Sequence, residues 1–460
     1  MTDKNASVSP AANLTQHAVY GPPNPKKPPR PTKHAWFDPW LIPKGIALNP
    51  LIREVADFVD CREKRKRRRR PDDQKRHDRM VVGVVCNLAR AVVSPPQPSG
   101  WLATNTRNGE RGKDRYDNTA FGTTFRELLT LLELAFLYRQ LPVAISGEVA
   151  SIAPTSRFEA MVIAAGISAD DFASDQEQEL IRLTQVTRSY SPLMGPHSDK
   201  QRIDYADNAY TNGYRAELRV LNAYLADADI TFITDDLEPR VDAHVRTLRR
   251  YFTTFAGEEP RFDQGGRLFG AFWQSLKRDR RLGIMINGEP VAELDYQSMF
   301  QRLAYAELGK VPPDGDLYLI PPIEAHRDGI KLAMNCFLFD QTERRTWPKD
   351  MSMYGDDTDD DPSHAPKLPR GLTVKKAKQM ILAKHPDLEA AWGHGLGYRL
   401  MWQESRILMA VLTDLMTKDI PALGLHDGLL VPVSARDVAL KTMRHWSRQL
   451  MGIELPCSVK

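Results

Sequence analysis

The chain has little cysteine, no long apolar run and almost no net charge, and each shortage removes a class of protein. Its four cysteines, Cys61, Cys86, Cys336 and Cys457, are scattered and show no C-x-x-C spacing. That argues against a disulfide framework or a structural zinc site and for a reducing compartment. No apolar run is long enough to span a bilayer. The start Met1-Thr2-Asp3-Lys4 lacks the apolar core of a secretory signal. The expectation is an intracellular protein with no membrane partner. Net charge is only +4 over 460 residues, and the 42% hydrophobic and 27% charged content is ordinary, so composition alone names no function. There is no internal repeat.

What is present is unevenly placed. Prolines cluster in Pro22-Pro23-Asn24-Pro25-Lys26-Lys27-Pro28-Pro29-Arg30-Pro31, a stretch that favours extended, solvated backbone. The run Lys64-Arg65-Lys66-Arg67-Arg68-Arg69-Arg70 is unbroken basic charge. It must be solvated or paired with anions, and phosphate contact through Arg67 and Arg68 is the functional reading. Residues 1–75 therefore read as a disordered, Pro-rich and basic tail. Phe125 to Leu141, Glu177 to about Ala228 and Asp242 to Phe255 read as helical. They make residues 76–256 a mostly helical region. After Gly257 the pattern changes. Ile284 to Asp295 reads as two strands joined at Asn287-Gly288. Helices are expected over Ser298–Leu308, Ile323–Phe339, Gly397–Thr417 and Ala435–Met451. An acidic loop holds Asp356 to Asp361. Leu423 to Pro432 reads as a second strand pair turning at His426-Asp427-Gly428.

Two aspartates stand out. Asp295 ends an apolar strand, and Asp427 sits at the tip of a hairpin between apolar strands. A carboxylate there is costly unless it meets solvent, a cation or a metal. Two such groups meeting across a sheet suit paired Mg²⁺ ions, with Mn²⁺ as the alternative, for in-line phosphoryl displacement. On one helix Arg327, Lys331, Asn335 and Phe339 recur at four-residue spacing and share a face. Two cations and a ring on one stripe suit a triphosphate and a stacked base. The bland reading of that stripe is an amphipathic helix with a basic edge.

Four short motifs in order resemble the family A DNA polymerases and the related single-subunit phage-type RNA polymerases. Glu293-Leu294-Asp295-Tyr296, with Arg302 seven positions after the Asp, resembles motif A. Arg327-x-x-x-Lys331, with Phe339 eight residues on, is similar to motif B. Leu425-His426-Asp427-Gly428 resembles motif C. Asp263-Gln264-Gly265-Gly266-Arg267 matches a shared upstream Asp/Thr-x-x-Gly-Arg element. The resemblance covers about residues 262–433.

It implies an α+β right-hand polymerase. The antiparallel-sheet palm would occupy 257–460, with helical fingers at about 310–400 and residues 76–256 as a mostly helical, thumb-like region. It implies that Asp295 and Asp427 bind two metal ions and that His426 sits by the growing 3′ end. Arg327 and Lys331 would hold the triphosphate, Phe339 would stack near the base, and Tyr296 would lie under the nucleotide. Arg267, Gln403 and Ser405 would touch nucleic acid. The chain departs from the pattern at Phe300, where the DNA polymerases have a Glu that helps to exclude ribonucleotides. It departs again at Phe339-Asp340 for Tyr-Gly, and at Gly428 for Glu or Ser. The expected function is DNA-directed DNA synthesis from nucleoside triphosphates on a DNA primer and template, in a cytoplasmic, nucleoid-associated setting. A compact RNA polymerase or primase, a template-independent transferase, and a catalytically degenerate nucleic-acid-binding protein remain the alternatives.

Overall fold

The computed structural model describes residues 35–63, 65, 67–95, 100–104, 114–140, 149–191, 195–237, 240–347 and 368–460. The proline cluster, Lys64, Lys66 and the Asp356–Asp361 run lie outside the described residues.

The first lobe begins with β1 (Ala35–Trp36), β2 (Leu41–Pro43), α1 (Asn49–Arg62) and α2 (Pro71–Val93). It continues through β3 (Leu102–Ala103), α3 (Phe125–Leu132), β4 (Leu137–Gln140), β5 (Ser151–Pro154), α4 (Ser156–Ala164) and β6 (Phe172–Ser174). The tail expected over 1–75 is corrected from Ala35 onward. Leu51, Val55 and Val59 recur every four residues and are buried against α2 and α3. Each apolar side chain so buried contributes roughly 1.5–3 kcal/mol, which outweighs the flanking charge. The basic run is thus a connection between two packed helices. Pro71 opens α2 at a position that needs no N–H, and Asp72 and Asp73 suit its positive end. The helix expected from Phe125 ends at Leu132, and the chain turns through Leu134 at φ +67° into β4.

The middle of the chain forms β7 (Ile181–Ser191), β8 (Gly195–Arg202), α5 (Ala209–Asp227), β9 (Ile230–Phe232), β10 (Arg249–Phe255) and β11 (Gly265–Phe269). Two short helices follow, α6 (Phe272–Ser275) and α7 (Arg278–Arg281). This corrects the mostly helical reading of residues 76–256. In β10, Arg250, Phe252 and Thr254 are buried while Arg249, Tyr251 and Thr253 are less so, which is the period of a strand, not of a helix. Ile181, Thr184, Val186 and Thr187 supply the β-branched side chains that fit such a surface. The strands assemble in the order β11-β10-β7-β8, with β10 and β7 parallel and the other pairs antiparallel.

The last part carries β12 (Ile284–Ile286), β13 (Glu289–Tyr296), α8 (Met299–Glu307), α9 (Arg327–Phe339), α10 (Val374–Lys384) and α11 (Leu396–Thr417). It ends with β14 (Leu423–Gly424), β15 (Gly428–Pro432), α12 (Arg436–Met451) and β16 (Cys457–Val459). Asn287 and Gly288 take positive φ, +52° and +73°, and close the β12–β13 hairpin as the Asn-Gly signal requires. The sheet runs β14-β15-β13-β12-β9, with β16 also on β13, and every pair is antiparallel. Helix α11 lies against this assembly, burying Leu400, Ile407, Leu408, Val411, Leu412 and Leu415 on one side. The architecture is mixed α+β, and among the described residues no helix is long and apolar enough to cross a membrane.

Candidate active site

Strand β13 alternates. Ala292, Leu294 and Tyr296 are buried, while Glu293 and Asp295 face the other way. Its partner β15 starts at Gly428, opposite Asp295, and the Tyr296 N–H donates to the Asp427 carbonyl at 2.9 Å. These bonds bring the two aspartates side by side at one end of the sheet. Gly428 is required there. A Cβ at that position would run into the Leu294 carbonyl and stand 3.0 Å from the Asp295 carboxylate.

Burial, together with the adjacent Asp427, pushes the Asp295 carboxyl up to about 6. Lys460 opposes this, with its ammonium 2.5 Å from Asp295 Oδ2 and 3.7 Å from Glu293 Oε1. Asp427 has no ion-pair partner among the described residues. Those residues contain no group of three or more His, Cys, Asp or Glu set as a metal cage. Two carboxylates are nevertheless what an Mg²⁺ site completed by substrate phosphates requires. The Lys460 ammonium already takes the cation position on Asp295.

Around the pair sits a second layer. Glu404 of α11 is only 1% exposed and accepts two bonds from Arg267, from Nε at 2.5 Å and Nη2 at 3.0 Å. Burial raises the Glu404 carboxyl to about 7 against the pull of Arg267, and Asp427 and Asp295 add to the rise. The Arg267 guanidinium also lies 5.3 Å from the centre of the Phe300 ring. His426 is pushed down to about 4, first by burial and then by Arg267, and its Nδ1 is buried without a hydrogen-bond partner. The imidazole is therefore neutral at neutral pH. Phe269 meets it edge-on at 5.0 Å.

The α9 stripe touches this layer through Phe339. Phe339 packs 5.7 Å from Phe300 and 5.1 Å from Tyr398, and a Cβ on Gly397 would clash with its ring. Asn335 accepts from Gln301 at 2.9 Å. Arg327 is half-exposed and held by Asp316 at 2.5 Å, while Lys331 is exposed.

Three expected assignments change. Tyr296 is buried on the opposite face of β13 from Asp295, and its hydroxyl donates to the Met443 carbonyl at 2.7 Å. Strand alternation takes it away from any nucleotide. Ser405 is 1% exposed, donates to the Trp402 carbonyl and accepts from Arg250 Nη2 at 2.9 Å. It belongs to the core, not to a nucleic-acid surface. Gln403 is also buried and donates to Glu307 at 2.7 Å. Arg67 and Arg68 are exposed in the first lobe, where Arg67 lines an open groove with Arg62, Arg65 and Glu127. Sequence reasoning missed Glu404 and Lys460. A glutamate in the apolar stripe of α11 was a signal for the first, and nothing local marked the second.

No protein-family model and no curated protein matches this chain. Among solved structures it is similar to the POL domain of Pol1 from M. smegmatis in complex with DNA primer-template and dNTP. The identity is 13% and the TM-score 0.30, over 54% of this chain and 51% of that one. The chain thus spans about half the length of that structure, and the likeness is weak and confined to the fold.

Proposed function

We propose that the chain is a template-directed nucleotidyl transferase, a DNA-directed DNA polymerase of the two-metal type. The observation that carries the reading is the meeting of Asp295 and Asp427 at one end of an antiparallel sheet, both flanked by apolar strands. Asp295 and Asp427 would hold two Mg²⁺ ions, which when bound neutralise charge on the attacking and departing oxygens.

The remaining work belongs to the side chains. Lys331, exposed, and Arg327, half-exposed, supply positive charge for a triphosphate on one face of α9. Phe339 and Phe300 form an apolar wall beside it. Phe300 would exclude a sugar 2′-hydroxyl by bulk. Arg267, fixed by Glu404, holds a positive charge against that wall. Neutral His426, next to Asp427, would lie beside the primer end.

Extension of a labelled primer on a DNA template tests this, run in parallel with dNTPs and NTPs and with Asp295→Ala as control. Extension by the wild type alone supports the reading, and the preferred nucleotide separates DNA synthesis from RNA synthesis. One observation favours a second reading, a catalytically silent nucleic-acid-binding protein. The Lys460 ammonium already occupies the cation position at Asp295. Under that reading no lane extends, while DNA binding persists and is indifferent to Mg²⁺.

A further inference from the structure

The sheet β11-β10-β7-β8 turns one face into the core and leaves part of the other, around Tyr251 and Phe269, exposed. Leu183, Phe252 and Leu268 are buried on the inner side. The outer side carries Tyr251 in the centre, paired across β7 with Arg182 and across β11 with Arg267. Tyr251 and Phe269 are each 37% exposed and meet edge-on at 5.2 Å. Phe269 in turn meets His426 at 5.0 Å. Three rings therefore run in a row from the open sheet to the residue beside Asp427.

The charge on this face is one-sided. Arg182 and Arg249 have no carboxylate partner among the described residues, and the Nε of each is buried without a hydrogen bond. Arg249 reaches only the neutral Gln178 amide, at 2.8 Å. Arg202 stands 3.9 Å and 4.0 Å from Asp114 and Asp117, at the outer limit of pairing. Burial lowers the Arg182 pKa, and the neighbouring charges of Arg249 and Arg202 lower it further. Like charges crowded on a sheet raise the energy of the free protein and lower it again when an anion arrives. Arg182 and Arg202 lie 4.8 Å and 5.4 Å from the buried Tyr116 ring, and exposed rings beside such weakly neutralised cations suit a ligand with both π-faces and phosphates.

We propose that this face binds a single strand of nucleic acid, with bases stacked on Tyr251 and Phe269 and phosphates on Arg182, Arg202 and Arg249. A duplex keeps its base faces stacked inside and cannot use the rings in this way. The inference rests on the polymerase reading only for where the strand leads, past His426 to the carboxylates.

The test is fluorescence anisotropy of a labelled oligothymidylate, in EDTA and without triphosphate, beside a duplex of equal length. Tyr251→Ala with Phe269→Ala is expected to weaken single-strand binding about 10-fold or more. Arg182→Gln with Arg249→Gln should flatten the log–log salt dependence by about 1.4. Tyr251→Trp, which keeps a stacking face, should retain affinity. Binding is read in EDTA without triphosphate, so that failed catalysis leaves this inference standing. Should the double aromatic variant lose its thermal transition, Tyr251→Ser at the exposed position carries the same test. Wild-type affinity in the aromatic variants overturns the proposal. So does tighter binding of the duplex than of the single strand.

Discussion

Asp295 links stability to chemistry in a way that one substitution exposes. Folding buries this carboxyl beside Asp427 and raises it from 3.8 to about 6. A raised value means that the native state holds the proton more tightly than the unfolded chain does. The associated stability is complete below about pH 4. It is lost as pH rises through about 6, where the native carboxylate ionises. At pH 8 the ionised form then costs roughly 2–3 kcal/mol. Asp295→Asn keeps the shape and removes the charge, while Lys460 is sufficiently exposed to be rehydrated. The variant should therefore be dead in primer extension and more stable than the wild type at pH 8, by about 2 kcal/mol after partial relaxation. The gain should be smaller at pH 5. Urea unfolding in EDTA at the two pH values measures it. Mg²⁺ should then stabilise the wild type at pH 8 and leave the variant unchanged. Equal gains at pH 5 and pH 8 would refute the electrostatic argument. Equal Mg²⁺ stabilisation of both proteins would refute the metal assignment.

Two further outcomes follow from the surroundings. Glu404→Ala removes the two bonds that hold Arg267 and should lower stability by about 1–3 kcal/mol, read by urea unfolding. Replacing Arg67 and Arg68 by Ser should leave thermal stability unaltered, because both are exposed. It should also flatten the salt dependence of duplex DNA binding by about 2, and an unchanged slope would exclude that connection from phosphate contact.

Elements made by near neighbours were legible in the sequence. The Asn287-Gly288 turn, the helices α8, α9, α11 and α12, and the hairpin carrying Asp427 all stand where periodicity and turn chemistry put them. Their signals lie within one or two turns of chain, which is why the placement of Asp295 and Asp427 could be read in advance. Residues 181–191 and 249–255 read as helix because strand pairing is non-local. β7 finds its parallel partner β10 only across α5 and β9, and no window of neighbours contains that information. The same distance hid Glu404, whose burial has meaning only once Arg267 arrives from β11, and Lys460, which reaches Asp295 because β16 pairs with β13. Tyr296 and Ser405 show the converse. Tyr296 stood in a motif and Ser405 on the helix before another, but strand alternation and the packing of α11 decided that they face the core. The sequence alone determined which residues are the candidates for the proposed chemistry. Tertiary structure decided which of them face the site, because burial and pairing across distant segments set both orientation and charge.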